Sequence, residues 1–425
     1  MEKDFNKTSK YLVAIGVGCQ LNTNSYKDVI LELEELKLLA KTNHYIVQKI
    51  FIQKREKYNP STFIGKGKLK DLINYCNINK VKVIIFNDEI SPTQIKNIQK
   101  IIGDKIRVVD RTGVIIDIFS NHARTKESKV QVEIAKLEYL LPRLTRLWTH
   151  LERQMGGRGT RGGPGETQIE VDRRLINNQI SRLKEHLKAI EKQRTVQSKN
   201  RFNSFKISLC GYTNAGKSTL MKKLTKSNVY IKDELFATLD STSRKMYLKS
   251  KDEVILTDTV GFINKLPHNL VASFRSTLSV IKESNLILKV FDATSKNIIM
   301  HNQVINDTLI SLEAKNIDTI VIFNKIDLIK DGEKFSYLKN LFPDAVFISA
   351  EKELKINDLI TCIEHKIEKF YIKEWLIVPY KNANLMNIIY KNLQVLDQKN
   401  TDKGIKIRVK GNKAQILQLK SKINY

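Results

Sequence analysis

Cysteine is scarce: Cys19, Cys76, Cys210 and Cys362 are the four in 425 residues, far apart and without a CxxC pair. That spacing excludes a disulfide framework and a zinc ribbon, and it suits a reducing cytoplasm. The seven histidines, His122 and His150 among them, show no metal-ligand spacing, and no Ser-His-Asp arrangement emerges. No apolar run approaches the roughly 18 residues that span a bilayer, so membrane association is not indicated. The segment Leu12-Val-Ala-Ile-Gly-Val-Gly-Cys19 follows two lysines but lacks a small-residue cleavage site, and it reads as a buried strand rather than a signal core. Acidic residues are also short, 45 against 73 lysines and arginines, a net charge of +28. Such a balance points to a polyanionic partner. A chain heavy in Lys, Ile and Asn is lysine-rich from composition alone, so only the distribution of charge is informative. The length implies two to four domains at about 150 residues each, and the expectation is a soluble cytoplasmic protein.

Residues 1–122 alternate helical and strand-like patterns, which implies a small α/β domain. Leu31 to Leu39 has helical period, and Val81 to Phe86 is a short apolar run bounded by Asn87-Asp88. Ser91-Pro92 supplies an N-cap and a proline at the first helical position, predicting a helix to about Ile102, and Ile106 to Val109 is another strand. Ile64-Gly-Lys-Gly-Lys68 lacks the remaining positions of a phosphate loop and reads as a basic turn.

Residues 123–204 carry a different pattern. Val130, Ile134, Leu137, Leu141, Leu144, Trp148 and Leu151 fall at alternating spacings of 4 and 3, as do Ile176, Ile180, Leu183, Leu187 and Ile190. These are the seams of two long helices able to pack as an antiparallel hairpin, with Pro142 kinking or breaking the first. Gly156 to Gly165 continues neither helix and forms an arginine-bearing tip. Eleven of the chain's 17 arginines lie between 124 and 201. Drift would add lysine, whereas a guanidinium binds phosphate bidentately and stacks on bases. Ion pairing along a helix accounts for Arg182 and Arg194 beside Glu185 and Glu191, but not for Arg158 and Arg161, which have no acidic neighbour before Glu166. Arg143, Arg146, Arg153, Arg158, Arg161, Arg173 and Arg174 are the expected RNA contacts.

A nucleotide-binding domain follows, residues 205–370. Phe205 to Cys210 reads as a strand, and Gly211-Tyr212-Thr213-Asn214-Ala215-Gly216-Lys217-Ser218 is GxxxxGK[ST] in the strand–loop–helix context it requires. Backbone N–H groups would wrap the phosphates, Lys217 would bridge the β- and γ-phosphates, and the Ser218 hydroxyl would ligate magnesium. Asp258-Thr259-Val260-Gly261 is a strand-ending DxxG, with Asp258 set to hold magnesium through water and the Gly261 N–H to sense the γ-phosphate. Asn324-Lys325-Ile326-Asp327 is NKxD. The Asp327 carboxylate accepts from guanine N1–H and the exocyclic amine, a donor pair that adenine lacks. Asn324 would tie this loop to the phosphate loop, and the Lys325 stem would cover the base. Val346 to Ser349-Ala350 reads as a sixth strand ending at the guanine O6 contact. A switch loop needs one threonine to complete the magnesium shell, and spacing leaves Thr238, Thr242 and Ser243 open. Phe262 follows DxxG where many GTPases carry glutamine; it cannot orient a water, which predicts slow hydrolysis accelerated by a partner.

In Ile64–Lys68, Phe86–Gln94, Asp110-Arg-Thr112, Tyr139–Arg153, Gly163–Gln168, Gly211–Thr219, Phe236–Asp240 and Asp258–Ile263 the chain resembles the HflX family of translation-associated GTPases. The resemblance spans roughly residues 60–330. It implies a magnesium-dependent GTPase that binds GTP and GDP and acts on the large ribosomal subunit and its rRNA. The hairpin would insert toward the peptidyl-transferase region and split stalled or idle ribosomes, often under stress. It further implies that Thr238 is the switch threonine and, with Ser218, a magnesium ligand. Phe236, Ala237, Thr238, Leu239 and Asp240 would then line the nucleotide, and Lys217, Thr238 and Gly261 would carry the catalytic work. Some members also hydrolyse ATP through the N-terminal domain. Asp240-Ser241-Thr242 lacks the proline common after the family's switch aspartate, and Ser349-Ala350-Glu351-Lys352 lacks a glycine common soon after. A monomer without DNA affinity is expected. The competing readings are an RNA-remodelling or assembly NTPase on free rRNA and a regulatory switch independent of ribosomes. Residues 371–425 read as a small α+β domain of unassigned role. The fold class expected is thus α/β multidomain: an N-terminal α/β domain, a helical hairpin, a P-loop domain with a mostly parallel sheet, and the small C-terminal domain.

Overall fold

The computed structural model describes residues 11–144, 168–198, 204–225, 235–236, 239–248, 253–265, 270, 280–382 and 384–423. Strands β1 (Leu12–Leu21), β2 (Tyr45–Arg55), β3 (Val83–Phe86) and β4 (Arg107–Asp110) form a parallel sheet in the order β2-β1-β3-β4. Helices α1 (Tyr26–Thr42), α2 (Lys66–Ile78), α3 (Pro92–Ile102) and α4 (Arg111–His122) cover its two faces. Continuous apolar runs suit parallel strands buried on both sides, and all four residues of β3 are buried. Ser91 and Gln94 form a reciprocal capping box at the start of α3, with Pro92 in its first turn. Gly65 caps α2 and donates its N–H to Gln53 Oε1 at 2.8 Å, so the Ile64–Lys68 turn is a helix start.

Helix α5 (Lys126–Leu140) stops two residues before Pro142, in a 3-10 turn at Leu141–Arg143. It packs on α6 (Gln168–Ser198) through Ile134, Leu137, Leu144, Ile176 and Ile180, flanked by Val130, Leu141, Leu183 and Leu187. These are the seam positions marked by the 4-3 spacing; Trp148, Leu151 and the glycine-rich tip lie outside the described residues.

The second sheet contains β5 (Phe205–Gly211), β6 (Thr242–Tyr247), β7 (Glu253–Asp258), β8 (Leu286–Asp292), β9 (Asp318–Asn324) and β10 (Val346–Phe347). Its order is β10-β9-β8-β5-β7-β6, parallel except for β6. Helices α7 (Lys217–Thr225), α8 (Ile298–Ser311), α9 (Gly332–Leu341) and α10 (Ile356–Phe370) complete this layer. Consecutive strands β7 and β8 lie on opposite sides of β5, so the chain reverses direction across the sheet there, and the crevice beyond the carboxyl ends is a ligand position. A third sheet, β11 (Tyr371–Val378), β13 (Gly404–Asn412) and β12 (Gln394–Thr401), is antiparallel and carries α11 (Asn384–Asn392) and α12 (Lys413–Ile423). One apolar cluster runs from α1 and α4 of the first sheet into the second, joining Leu36 and Phe119 to Phe236, Phe262 and Phe291. Among the described residues no helix is long and apolar enough to cross a membrane.

Candidate functional site

The motif loops meet at the carboxyl ends of β5, β7, β9 and β10. Gly216 has φ +86°, in the left-handed region, and a Cβ there would collide with Asn324 Nδ2. That close approach lets Asn324 donate to the Ala215 carbonyl at 2.9 Å while its Oδ1 accepts from the Ala350 N–H at 2.9 Å. One buried amide thereby fixes the phosphate loop, the NKxD turn and the Ser349-Ala350 loop relative to each other. Lys325 takes a left-handed conformation and its Nζ pairs with Asp292 at 2.9 Å. Ile326 and Asp327 begin a 3-10 turn, with Asp327 exposed at the rim. Ser349 is buried and its Oγ accepts from the Lys352 N–H.

Lys217 is buried in the phosphate loop, donating to the carbonyls of Gly211 and Tyr212 at 3.0 and 2.9 Å. Burial pulls its ammonium below the ordinary lysine range, and Asp258 opposes that pull. Ser218 Oγ donates to Asp258 Oδ2 at 2.6 Å. A hydroxyl and a carboxylate oxygen side by side are hard donors that fit magnesium, whose remaining ligands are ordinarily phosphates and water. Among the described residues no group of three His, Cys, Asp or Glu side chains could hold a metal by itself.

The DxxG turn lies directly against the phosphate loop. Phe262 N–H donates to the Gly211 carbonyl at 3.0 Å, and Thr213 N–H to the Phe262 carbonyl at 2.8 Å. A Cβ at Gly261 would come within 2.8 Å of Thr213 Cγ2 and 3.1 Å of Lys217 Nζ, so only glycine fits. Thr259 turns away, its hydroxyl donating to the Leu209 carbonyl at 2.7 Å, and Val260 is buried. The Phe262 ring is buried in the apolar cluster shared by the first two sheets.

Like Thr259 and Val260, the expected site residues Phe236, Leu239, Asp240 and Arg143 turn their side chains elsewhere. Phe236 and Leu239 are buried, and Phe236 packs edge-on against Phe119 of α4 at 4.7 Å. Apolar side chains such as these gain more from this core than from a polar pocket. Asp240 anchors the segment leading into α5, accepting from the N–H groups of Arg124 and Thr125 at 3.0 and 3.2 Å and from the hydroxyl of Thr125, the helix N-cap, at 2.6 Å. Arg143, expected on an RNA face, points inward. It donates to Asp110 Oδ2 at 3.1 Å and to the carbonyls of Ile90 and Tyr139, with its guanidinium 3.8 Å from the Tyr139 ring. The wholly buried Asp110 needs that cation. Arg173 and Arg174 lie on α6, both exposed. Ala237, Thr238, Arg146, Arg153, Arg158 and Arg161 lie outside the described residues.

Sequence reading missed the cluster that joins the first sheet to the phosphate loop. Buried Arg111 pairs with Glu35 and donates to Asn87 Oδ1 at 3.0 Å and to the Asn264 carbonyl, just after DxxG, at 3.2 Å. Burial pushes the Glu35 carboxyl up, and Arg111 opposes this. Lys265 pairs with Glu32 at 2.6 Å and Asp88 at 2.9 Å. The Tyr212 ring stacks on His301 at 3.8 Å and 16°, and burial, with Glu35 beside it, pushes the phenol far above its usual range. Of these groups Glu32, Glu35, Tyr212, Asn264 and His301 line a cleft of about 320 Å³ between α1 and the phosphate loop. The Asp110-Arg-Thr112 motif was the available signal, but it carries no hint of a partner more than 150 residues away.

Comparison with known proteins agrees with this architecture. Residues 31–120 match the family model "GTP-binding GTPase N-terminal", 122–201 "GTP-binding GTPase Middle Region" and 206–325 "50S ribosome-binding GTPase". The GTPase HflX of Flavobacterium psychrophilum is 45% identical over 76% of this chain and 78% of its own length. That of Caldanaerobacter subterraneus subsp. tengcongensis is 41% identical over 88% of this chain and 86% of its own. A crystal structure of an SsGBP–GDP complex matches 83% of this chain and 98% of that one, at 25% identity and a TM-score of 0.49. With such identity over most of the length, the chain belongs to the HflX family of GTPases.

Proposed function

We propose that the protein is a ribosome-associated GTPase that engages the large subunit through its arginine-rich hairpin and promotes dissociation or rescue of ribosomes, as under stress. The observation that carries the nucleotide half is the Asn324 clamp, which sets the phosphate loop, NKxD and Ser349-Ala350 around one volume. In this reading Gly211–Ser218 wrap the phosphates, Lys217 lies beside the transferred group, and Asp327 selects guanine while Lys325 and Ala350 border the base. Ser218 and Thr238 would hold magnesium, with Asp258 behind; when bound it offsets phosphate charge. The Gly261 N–H follows the γ-phosphate, and the hydrogen bond from Thr213 N–H to the next carbonyl, that of Phe262, passes any movement to the phosphate loop. No water-orienting group follows Gly261, because Phe262 faces the core. Basal hydrolysis is therefore slow, and the missing group comes with the partner.

The ribosomal half is supported by the arginine concentration in the hairpin and by the description of the model matched over 206–325. Arg158→Ala combined with Arg161→Ala tests it. The doubly substituted protein, loaded with a non-hydrolysable GTP analogue, is expected to bind nucleotide normally and to lose cosedimentation with large subunits. Wild-type cosedimentation should weaken steeply with salt, as phosphate contacts do. Unchanged cosedimentation and subunit splitting by the variant would refute the tip assignment.

A further inference from the structure

The C-terminal sheet has one covered face and one open face. Leu376 and Val378 of β11 and Ile407 and Val409 of β13 pack against Met386 and Ile389 of α11 and Ile416 and Leu419 of α12. Because side chains alternate along a strand, the neighbouring residues occupy the opposite face. There Trp375 is 38% and Ile377 46% exposed, among Lys373, Lys399, Lys406 and Arg408. Trp375 is one of only two tryptophans in the chain.

The charge on that face is arranged in a way that folding alone does not favour. Lys373 stands in register opposite Lys410, and Lys399 opposite Lys406. Like charges directly across strands are destabilising. Asp397 opposite Arg408 is the one acid in these strand pairs on this face, whereas Glu374 lies on the helix side and pairs with Lys420. Residues 371–425 hold eleven lysines and arginines against three acids. Lys406 Nζ lies 5.1 Å from the centre of the Trp375 ring, so the cation and the indole face form one surface.

We propose that this open sheet face binds single-stranded RNA, with Trp375 as a stacking platform for a base and Lys373, Lys399, Lys406 and Arg408 on the flanking phosphates. A π-face beside cations is what an unpaired, charged strand requires. An acidic protein surface would use the cations but not the indole. The site is separate from the nucleotide cleft and from the hairpin, and it stands whether or not either acts as proposed above.

The full-length protein carrying Trp148→Phe leaves Trp375 as the only indole, so its fluorescence reports this face alone even if the hairpin also binds. Titration with an oligouridylate of about a dozen nucleotides should quench it saturably, and Lys406→Gln with Arg408→Gln should raise the midpoint about tenfold or more. Polyglutamate should leave the emission unchanged. Binding of the oligonucleotide without quenching, equal quenching by polyglutamate, or a midpoint indifferent to the two substitutions would each overturn the proposal. Photocrosslinking of the same oligonucleotide to the unaltered protein gives a check that no variant's folding affects. Adducts should map to Tyr371–Val378, Gln394–Thr401 or Gly404–Asn412, and adducts confined to other segments would contradict it.

Discussion

In the proposed reading Asp327 selects the base with two carboxylate oxygens, and that makes it the most informative single substitution. An amide at this position presents a donor where guanine offers its exocyclic amine, whereas xanthine carries a carbonyl there. Asp327→Asn should weaken GTP by about a hundredfold or more and improve XTP, read by competition binding. His301 gives a pH signature at the same scale. Burial against Tyr212 holds its pKa down to about 4 from 6.5. Between those values the unfolded chain takes up a proton that the folded chain refuses, so this contribution is present above about pH 6.5 and is lost as pH falls towards 4. His301→Phe keeps a stacked ring and removes the effect: the urea midpoint should fall less between pH 7 and pH 5 than in wild type. Of these two residues only Asp327 was legible in the sequence, because its motif is contiguous. His301 gains its meaning from a ring 89 positions earlier in the chain.

At the level of elements, periodicity was a good guide wherever one helix face meets one neighbour. The 4-3 spacing marked the α5–α6 seam, and Ser91-Pro92 located the start of α3. The family resemblance did not show side-chain direction where an element serves two layers. Phe236, Leu239 and Asp240 were expected along the nucleotide from that resemblance, and their side chains bind this segment to α4 and α5. Arg143 looked available because charge census is blind to direction. Arg111 makes the strongest stability prediction. Arg111→Ala leaves Glu35 buried beside the phosphate loop without its cation, at a cost of about 3–5 kcal/mol in urea unfolding. Adding Glu35→Gln should recover a large part of that loss, a coupling that independent sites would not show.

For the whole molecule, both segments proposed to sense nucleotide are attached to the N-terminal layer. Leu235 donates its N–H to Thr42 Oγ1, Asp240 accepts from the N-cap Thr125 of α5, Arg111 holds the Asn264 carbonyl, and Lys265 bridges Glu32 and Asp88. If the site acts as proposed, these ties would couple a change of bound nucleotide to the base of the hairpin, and contact at the hairpin back to the site. Lys265→Ala removes one such tie across an exposed rim. It should leave GDP affinity within about threefold while raising unstimulated turnover, measured as phosphate release.

The most direct test is the rate of GTP hydrolysis with and without purified large ribosomal subunits at moderate salt. A slow basal rate that rises by about a hundredfold or more with subunits, and far less for Arg158→Ala with Arg161→Ala, is the predicted result. A rate indifferent to subunits would contradict the account, since it would mean that the chain hydrolyses GTP without the outside group that Phe262 obliges it to borrow.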